Sequence, residues 1–243
     1  MRPPLFFIFI AALASATAQA EDRAFDVSVR RAQVAHEQIL QEHPASASAH
    51  CAYAEFLSEN GNLRAAIVHW RQAQRLDPGN AATANSLGGA YLRAGHAAES
   101  AGQFSRAVEL ASANAAYHFN LANVEFMLRH DLKVAWKVDM QGLLRHALAE
   151  FRTASQLSPN DVEYARAYAE TFYGMPDPDW EEAEAAWKHV LALSARGDFA
   201  YLQLARVSLK RGDASEARRC LAKLTDTRTA ALKRKLLEEA DRL

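Results

Sequence analysis

Nine histidines and two cysteines are the residues of this chain with the chemistry for metal ligation, proton transfer or nucleophilic attack. Their spacing assembles none of these. The histidines are scattered without metal-ligand spacing, and no HExxH of the zinc-peptidase kind is present. His130-Asp131 is the one adjacent pair suited to acid–base work, and it reads as a surface turn. Cys51 and Cys220 have no evident histidine partner to make a thiolate. Gly88-Gly89 falls inside a helical pattern, where it cannot wrap a phosphate. The expectation is a protein without enzymatic activity, metal or cofactor.

Charge narrows the partners. Lys and Arg number 28 against 29 Asp and Glu, so no overall field draws nucleic acid or an anionic membrane. Basic residues interleaved with aromatics, as nucleic-acid binding requires, are missing too.

The N-terminus reads as an address. Arg2 precedes a short apolar run, Leu5 to Leu13, and Ala18-Gln19-Ala20 has the small-x-small form of a signal-peptidase site. The run is roughly half of what a spanning helix needs. Residues 1–20 are therefore expected to be a cleaved secretory signal, with the mature chain in the periplasm. Cys51 and Cys220 are expected to remain free thiols, since each repeat of a linear stack touches only its neighbours.

The elements that position everything else come from a repeat. Small residues recur at Ala54, Gly88, Ala122, Ala169 and Ala205, in steps of 34, 34, 47 and 36. Ala66, Ser100, Ala147, Ala183 and Ala217 keep the same irregular register, as do Trp70, Phe104, Phe151, Trp187 and Leu221. In residues 47–80, Tyr53-Ala54 and Leu57 share one helical face. Ala66, Trp70, Ala73 and Leu76 share another, with Gly61-Asn62 between them and Pro78-Gly79 at the end. That is helix, turn, helix, stop. The small residues let two helix backbones approach, and Trp70 fills the space towards the next unit.

This pattern resembles the tetratricopeptide repeat, best in the second unit through Leu87, Gly88, Tyr91, Phe104 and Ala107. The resemblance covers residues 24–225 and implies an all-α solenoid of helix-turn-helix repeats with a right-handed superhelical curl. The expected order is a half-repeat at 24–44, then repeats at 47–80, 81–114, 115–160, 162–196 and 198–225. A capping helix at 227–243, started by Thr227, closes about twelve helices. Leu57 and Glu125 stand where the family has an aromatic, and Ser112 replaces a closing proline.

In this family the first helix of each unit lines a concave groove. Carried over residue by residue, that places Asn85, Phe119, Asn123, Phe126, Arg166, Phe199 and Arg206 there. The asparagines are suited to a peptide backbone, the arginines to a carboxylate and the phenylalanines to apolar contact. The lysines of the family's carboxylate clamp do not accompany Asn85 and Asn123.

Two interruptions mark this member. The third unit carries 13 additional residues around 130–144, rich in apolar side chains: Val134, Trp136, Val138, Met140, Leu143 and Leu144. They either pack back on the solenoid or present Trp136 and Met140 to a partner. The fourth unit has a two-residue expansion stiffened by Pro176 and Pro178, followed by Asp179 and Glu182 in a capping-box arrangement. The sequence thus points to an exported scaffold that holds a protein or peptide in its groove, without chemistry of its own, in an envelope or secretion assembly. The alternative is a scaffold that self-associates or docks peripherally on a membrane through the 130–144 segment.

Overall fold

The computed structural model describes residues 27–195 and 197–243, so the expected signal peptide lies outside the described residues. Among them are thirteen α-helices and no strand. A helix over 27–42 (α1) is followed by α2 (Ala47–Glu59), α3 (Leu63–Leu76), α4 (Ala81–Arg93), α5 (Ala97–Leu110) and α6 (Ala115–Met127). Then come α7 (Arg129–Trp136), α8 (Met140–Leu157), α9 (Val162–Thr171), α10 (Trp180–Leu193), α11 (Asp198–Lys210), α12 (Ala214–Ala222) and α13 (Ala230–Ala240). Short 3-10 turns occupy Phe172–Gly174 and Thr227–Thr229. Consecutive helices pair as hairpins, the build of an all-α solenoid. The chain divides into two compact units, one ending at Ala90 and the other running from Tyr91 to Leu243.

Side chains close the exposed N–H groups at most helix starts. Ser46 accepts from Ala49 N at 3.2 Å, Asn62 from Ala65 N at 3.3 Å, and Asn114 from Ala116 N at 3.0 Å. Asp161 and Asp213 cap α9 and α12 in the same way. Such caps contribute about 1 kcal/mol each.

In the first unit α2 packs on α3 around Ala54, Leu57, Ala66, Trp70 and Ala73. The hydroxyl of Tyr53 donates to Glu37 on α1 at 3.0 Å, and the ring stacks on His36. In the second unit α5 packs on α6, α6 on α8, and each later helix on its successor. All fifteen positions of the triple register are buried. The small residues sit where backbones approach, and the bulky ones fill the layer between.

The turns explain both interruptions. Seven residues after each small beat the chain must reverse, and Gly61, Gly95 and Gly212 do so at φ of 80°, 78° and 76°. A Cβ makes that left-handed conformation costly, by about 1–2 kcal/mol. The equivalent residues of the third and fourth units are Arg129 and Pro176. At Arg129 the chain starts another helix, α7, and reverses only at Lys137, φ 55°. Lys137 is the only non-glycine with positive φ among the described residues. At Pro176 the chain passes through a 3-10 turn into Met175, held extended (ψ 141°) by the proline that follows.

Two local expectations change. Asp179 does cap α10, accepting from Glu181 N at 2.9 Å and Glu182 N at 3.0 Å. Glu182 does not return the bond; its carboxylate is taken by Arg152 and the Tyr168 hydroxyl. At the C-terminus Thr227 starts no α-helix. Asp226 caps the 3-10 turn, accepting from Arg228 N at 2.9 Å, and α13 spans Ala230–Ala240. The carboxylate of Asp198, on α11, accepts from Thr225 N at 2.6 Å and Asp226 N at 2.9 Å, which fixes the chain just before that turn.

Candidate functional site

The second unit offers a face built from the end of α9, the 3-10 turn after it, α11 and α13. On α11 the apolar positions divide: Leu202 and Leu209 are buried, whereas Phe199 and Arg206 are exposed. The Phe199 ring meets Trp187 edge to face at 5.6 Å, so it is braced from below. Tyr173 stands beside them. Its hydroxyl donates to the Gln203 carbonyl at 3.3 Å, and its ring lies 5.7 Å from that of Trp180. Burial pushes the Tyr173 phenol up to about 12, so it remains a neutral donor.

A cavity of about 410 Å³ opens here, lined by Tyr173, Arg206, Lys210, Leu232, Lys235 and Glu239. Three cations against one carboxylate give it a positive rim over an apolar floor. Arg206 makes only a 3.4 Å contact with Gln203 Oε1. Among the described residues no ion pair engages Lys210 or Lys235. Such a site suits a carboxylate-bearing, partly apolar chain. Lys235 and Leu232 escaped the sequence reading because α13 looks like a solvating end-cap. The signal was present in the helical spacing of Leu232, Lys235, Leu236 and Glu239.

The other groove positions lie elsewhere. Phe119 is half-buried between Tyr164 (4.6 Å) and Phe151 (5.8 Å). Phe126 packs on Phe151 at 6.5 Å with the Arg129 guanidinium over its ring at 5.3 Å. A Cβ at Gly174 would come within 2.6 Å of that ring. Asn123 donates to the Phe119 carbonyl at 3.0 Å, inside its own helix. Arg166 pairs with Glu170 at 3.6 Å on the exposed side of α9. Asn85 is half-buried in the first unit. Of the insertion residues, Trp136 is exposed and Met140 half-buried, while Leu132, Leu143 and Leu144 are buried. The segment therefore divides between packing and exposure.

In two of the larger cavities, charged groups of the lining are paired within the protein. One of about 780 Å³ beside Phe199 has Asp198 engaged with Thr225 and Asp226, and Arg228 paired with Asp226 at 2.7 Å. The other, about 620 Å³, is lined by the interlocked Arg152, Tyr168 and Glu182.

Histidine–glutamate pairs join α6 to α8. His118 Nδ1 lies 2.5 Å from Glu150, and His146 Nδ1 lies 2.8 Å from Glu125, so α6 and α8 exchange partners in both directions. Both cysteines are free thiols. Burial and Glu216 push the Cys220 thiol up to about 11, and burial also raises Cys51, so neither is an activated nucleophile. Among the described residues no cluster of three or more His, Cys, Asp or Glu side chains could hold a metal ion.

No family model and no curated protein matches the sequence. Solved structures do match. YrrB, a TPR protein with an unusual peptide-binding site, aligns at TM-score 0.64 and 18% identity over 86% of this chain and 98% of its own. MamA aligns at 0.60 and 16%, over 81% of this chain and 92% of its own. The pilF protein of Pseudomonas aeruginosa aligns at 0.58 and 17%, over 93% and 94%. At such identities the likeness is one of fold. The chain has the helix-turn-helix repeat fold of the tetratricopeptide-repeat proteins.

Proposed function

We propose that this chain is an exported, periplasmic scaffold without chemistry of its own, which holds an acidic protein or peptide segment against α11 and α13. The carrying observation is the 410 Å³ cavity of the second unit, lined by Arg206, Lys210 and Lys235 together with Tyr173, Leu232 and Glu239. A partner's carboxylates would meet the cations, and an apolar side chain would enter beside Tyr173 and Leu232. Phe199, exposed on the same helix, extends the contact. The binding role is supported by the fold shared with YrrB, a protein with a peptide-binding site. Export is supported by Arg2, the apolar run after it and Ala18-Gln19-Ala20. Those two readings together support a place in an envelope or secretion assembly.

The test is site-specific photo-crosslinking in envelope extract, with the reactive group at Lys210 and, as control, at Arg218. The proposal expects one protein captured from the first position, absent from the second, and lost in Arg206→Glu. Equal capture from both positions would reject it.

A further inference from the structure

The densest run of exposed apolar side chains among the described residues is on and around α7. Within twelve residues Met127, Val134, Trp136 and Val138 stand in solvent, Val134 at 77% and Met127 at 68% exposure. Only Leu132 of α7 is buried, and Val134, two residues on, points to the opposite side of the helix. Four cations surround this stretch, Arg129, Lys133, Lys137 and Arg145, against two carboxylates, Asp131 and Asp139. Asp139 is occupied as the cap of α8, accepting from Gly142 N at 2.6 Å. The chain as a whole carries a charge of −1, so this positive excess is local. Among the described residues no ion pair neutralises Lys133 or Lys137.

We infer that α7 and the Lys137 turn dock on the surface of an anionic phospholipid bilayer. The inference does not rest on the groove reading. Charge complementarity selects the occupant. Val134, opposite Leu132, and Trp136 and Val138, at the end of α7 and just beyond it, stand next to Lys133 and Lys137 in the chain, so apolar groups enter the headgroup boundary while the ammonium groups meet lipid phosphates. Tryptophan favours that boundary because its ring is apolar and its N–H polar. The contact is peripheral: no described helix is long and apolar enough to cross a membrane. Arg129, whose side chain donates to the Phe126 carbonyl at 2.7 Å, anchors the start of α7 to the end of α6 and holds the face outward.

The test is co-sedimentation of full-length protein with vesicles of phosphatidylcholine alone or mixed with phosphatidylglycerol. Any contribution of the N-terminus is then common to every variant. Wild type is expected to sediment with the mixed vesicles, less so as salt rises. Lys133→Glu/Lys137→Glu should weaken that binding at least about twentyfold, at about fivefold per lysine. Trp136→Ser should weaken it too, with helicity unchanged by circular dichroism because the side chain is exposed. The groove variant Arg206→Glu should sediment as wild type, which separates this surface from the other. Wild type that ignores anionic vesicles, or a lysine variant that binds them equally, overturns the inference. So does dimerisation abolished by Trp136→Ser without vesicle binding, which would give the face to a second copy.

Discussion

The carboxylate of Glu125, 4% exposed in α6, accepts a 2.8 Å hydrogen bond from Nδ1 of His146 on α8. The repeat pattern has an aromatic ring at that position; here an ion pair does the joining. The bond to Glu125 holds the His146 pKa above its ordinary value of 6.5, outweighing desolvation, and the charges of Glu125 and Glu150 add to it. His118 faces the other oxygen of Glu150, so it belongs to the same network.

The sign of the pH effect follows. A histidine raised in the folded state contributes stability that is complete below about 6.5 and lost as pH climbs through the raised value. The thermal midpoint should therefore fall on the alkaline side of 6.5. Glu125→Gln should flatten that slope and cost about 1–3 kcal/mol at pH 6, by leaving a polar group poorly paired. A variant that keeps the wild-type slope would show that His146 does not carry it.

The first unit carries a pair with the opposite sign. His50 Nε2 faces the Pro44 carbonyl at 3.2 Å, so in the neutral ring it is the donor there, and His69 Nδ1 donates to His50 Nδ1 at 3.0 Å. Burial, then the neighbouring His50, lowers the His69 pKa below 6.5. Stability from the neutral His69 ring is present above 6.5 and falls as pH drops below it. Titration of the imidazole resonances by NMR should place His69 below and His146 above 6.5. The reverse order would contradict both assignments.

Turn chemistry gives a prediction with two signs. Lys137→Gly should stabilise by about 1 kcal/mol, because the φ of 55° no longer opposes a Cβ. Gly95→Ala, at φ 78°, should destabilise by about 1–2 kcal/mol even though its Cβ meets open space. Urea midpoints at constant m-value measure both. Equal effects of one sign would mean that backbone conformation does not govern these turns.

Gly174 tests packing instead. Its φ is ordinary, yet a Cβ would stand 2.6 Å from the Phe126 ring. Gly174→Ala should cost about 1–3 kcal/mol by overpacking, and Phe126→Leu in the same chain should recover part of it. A neutral Gly174→Ala would remove the steric account.

The register was legible because close helix approach admits only small residues, and Ala54, Ala122, Ala169 and Ala205 announce themselves by type. Glu125 was not. A glutamate in an aromatic position reads as a lapse until His146, 21 residues away, is placed opposite it. The insertion was located, but its cause lies in a missing glycine, and φ at positions 61, 95 and 212 had to be seen before Arg129 and Pro176 made sense. The groove was half legible. Arg206 followed from the repeat register, whereas Lys235 belongs to a terminal helix outside it. Phe126 occupies a groove position in the register and is taken up by Gly174 and Phe151.

A partner held by the positive cavity of the second unit depends on its cations. Affinity of the crosslinked partner, purified, for wild type and for Arg206→Glu/Lys235→Glu tests it most directly. The variant should lose at least about tenfold in affinity, since opposed charges replace paired ones across the contact, with the thermal midpoint unchanged because both side chains are exposed. Undiminished affinity in the charge-reversed variant would contradict it.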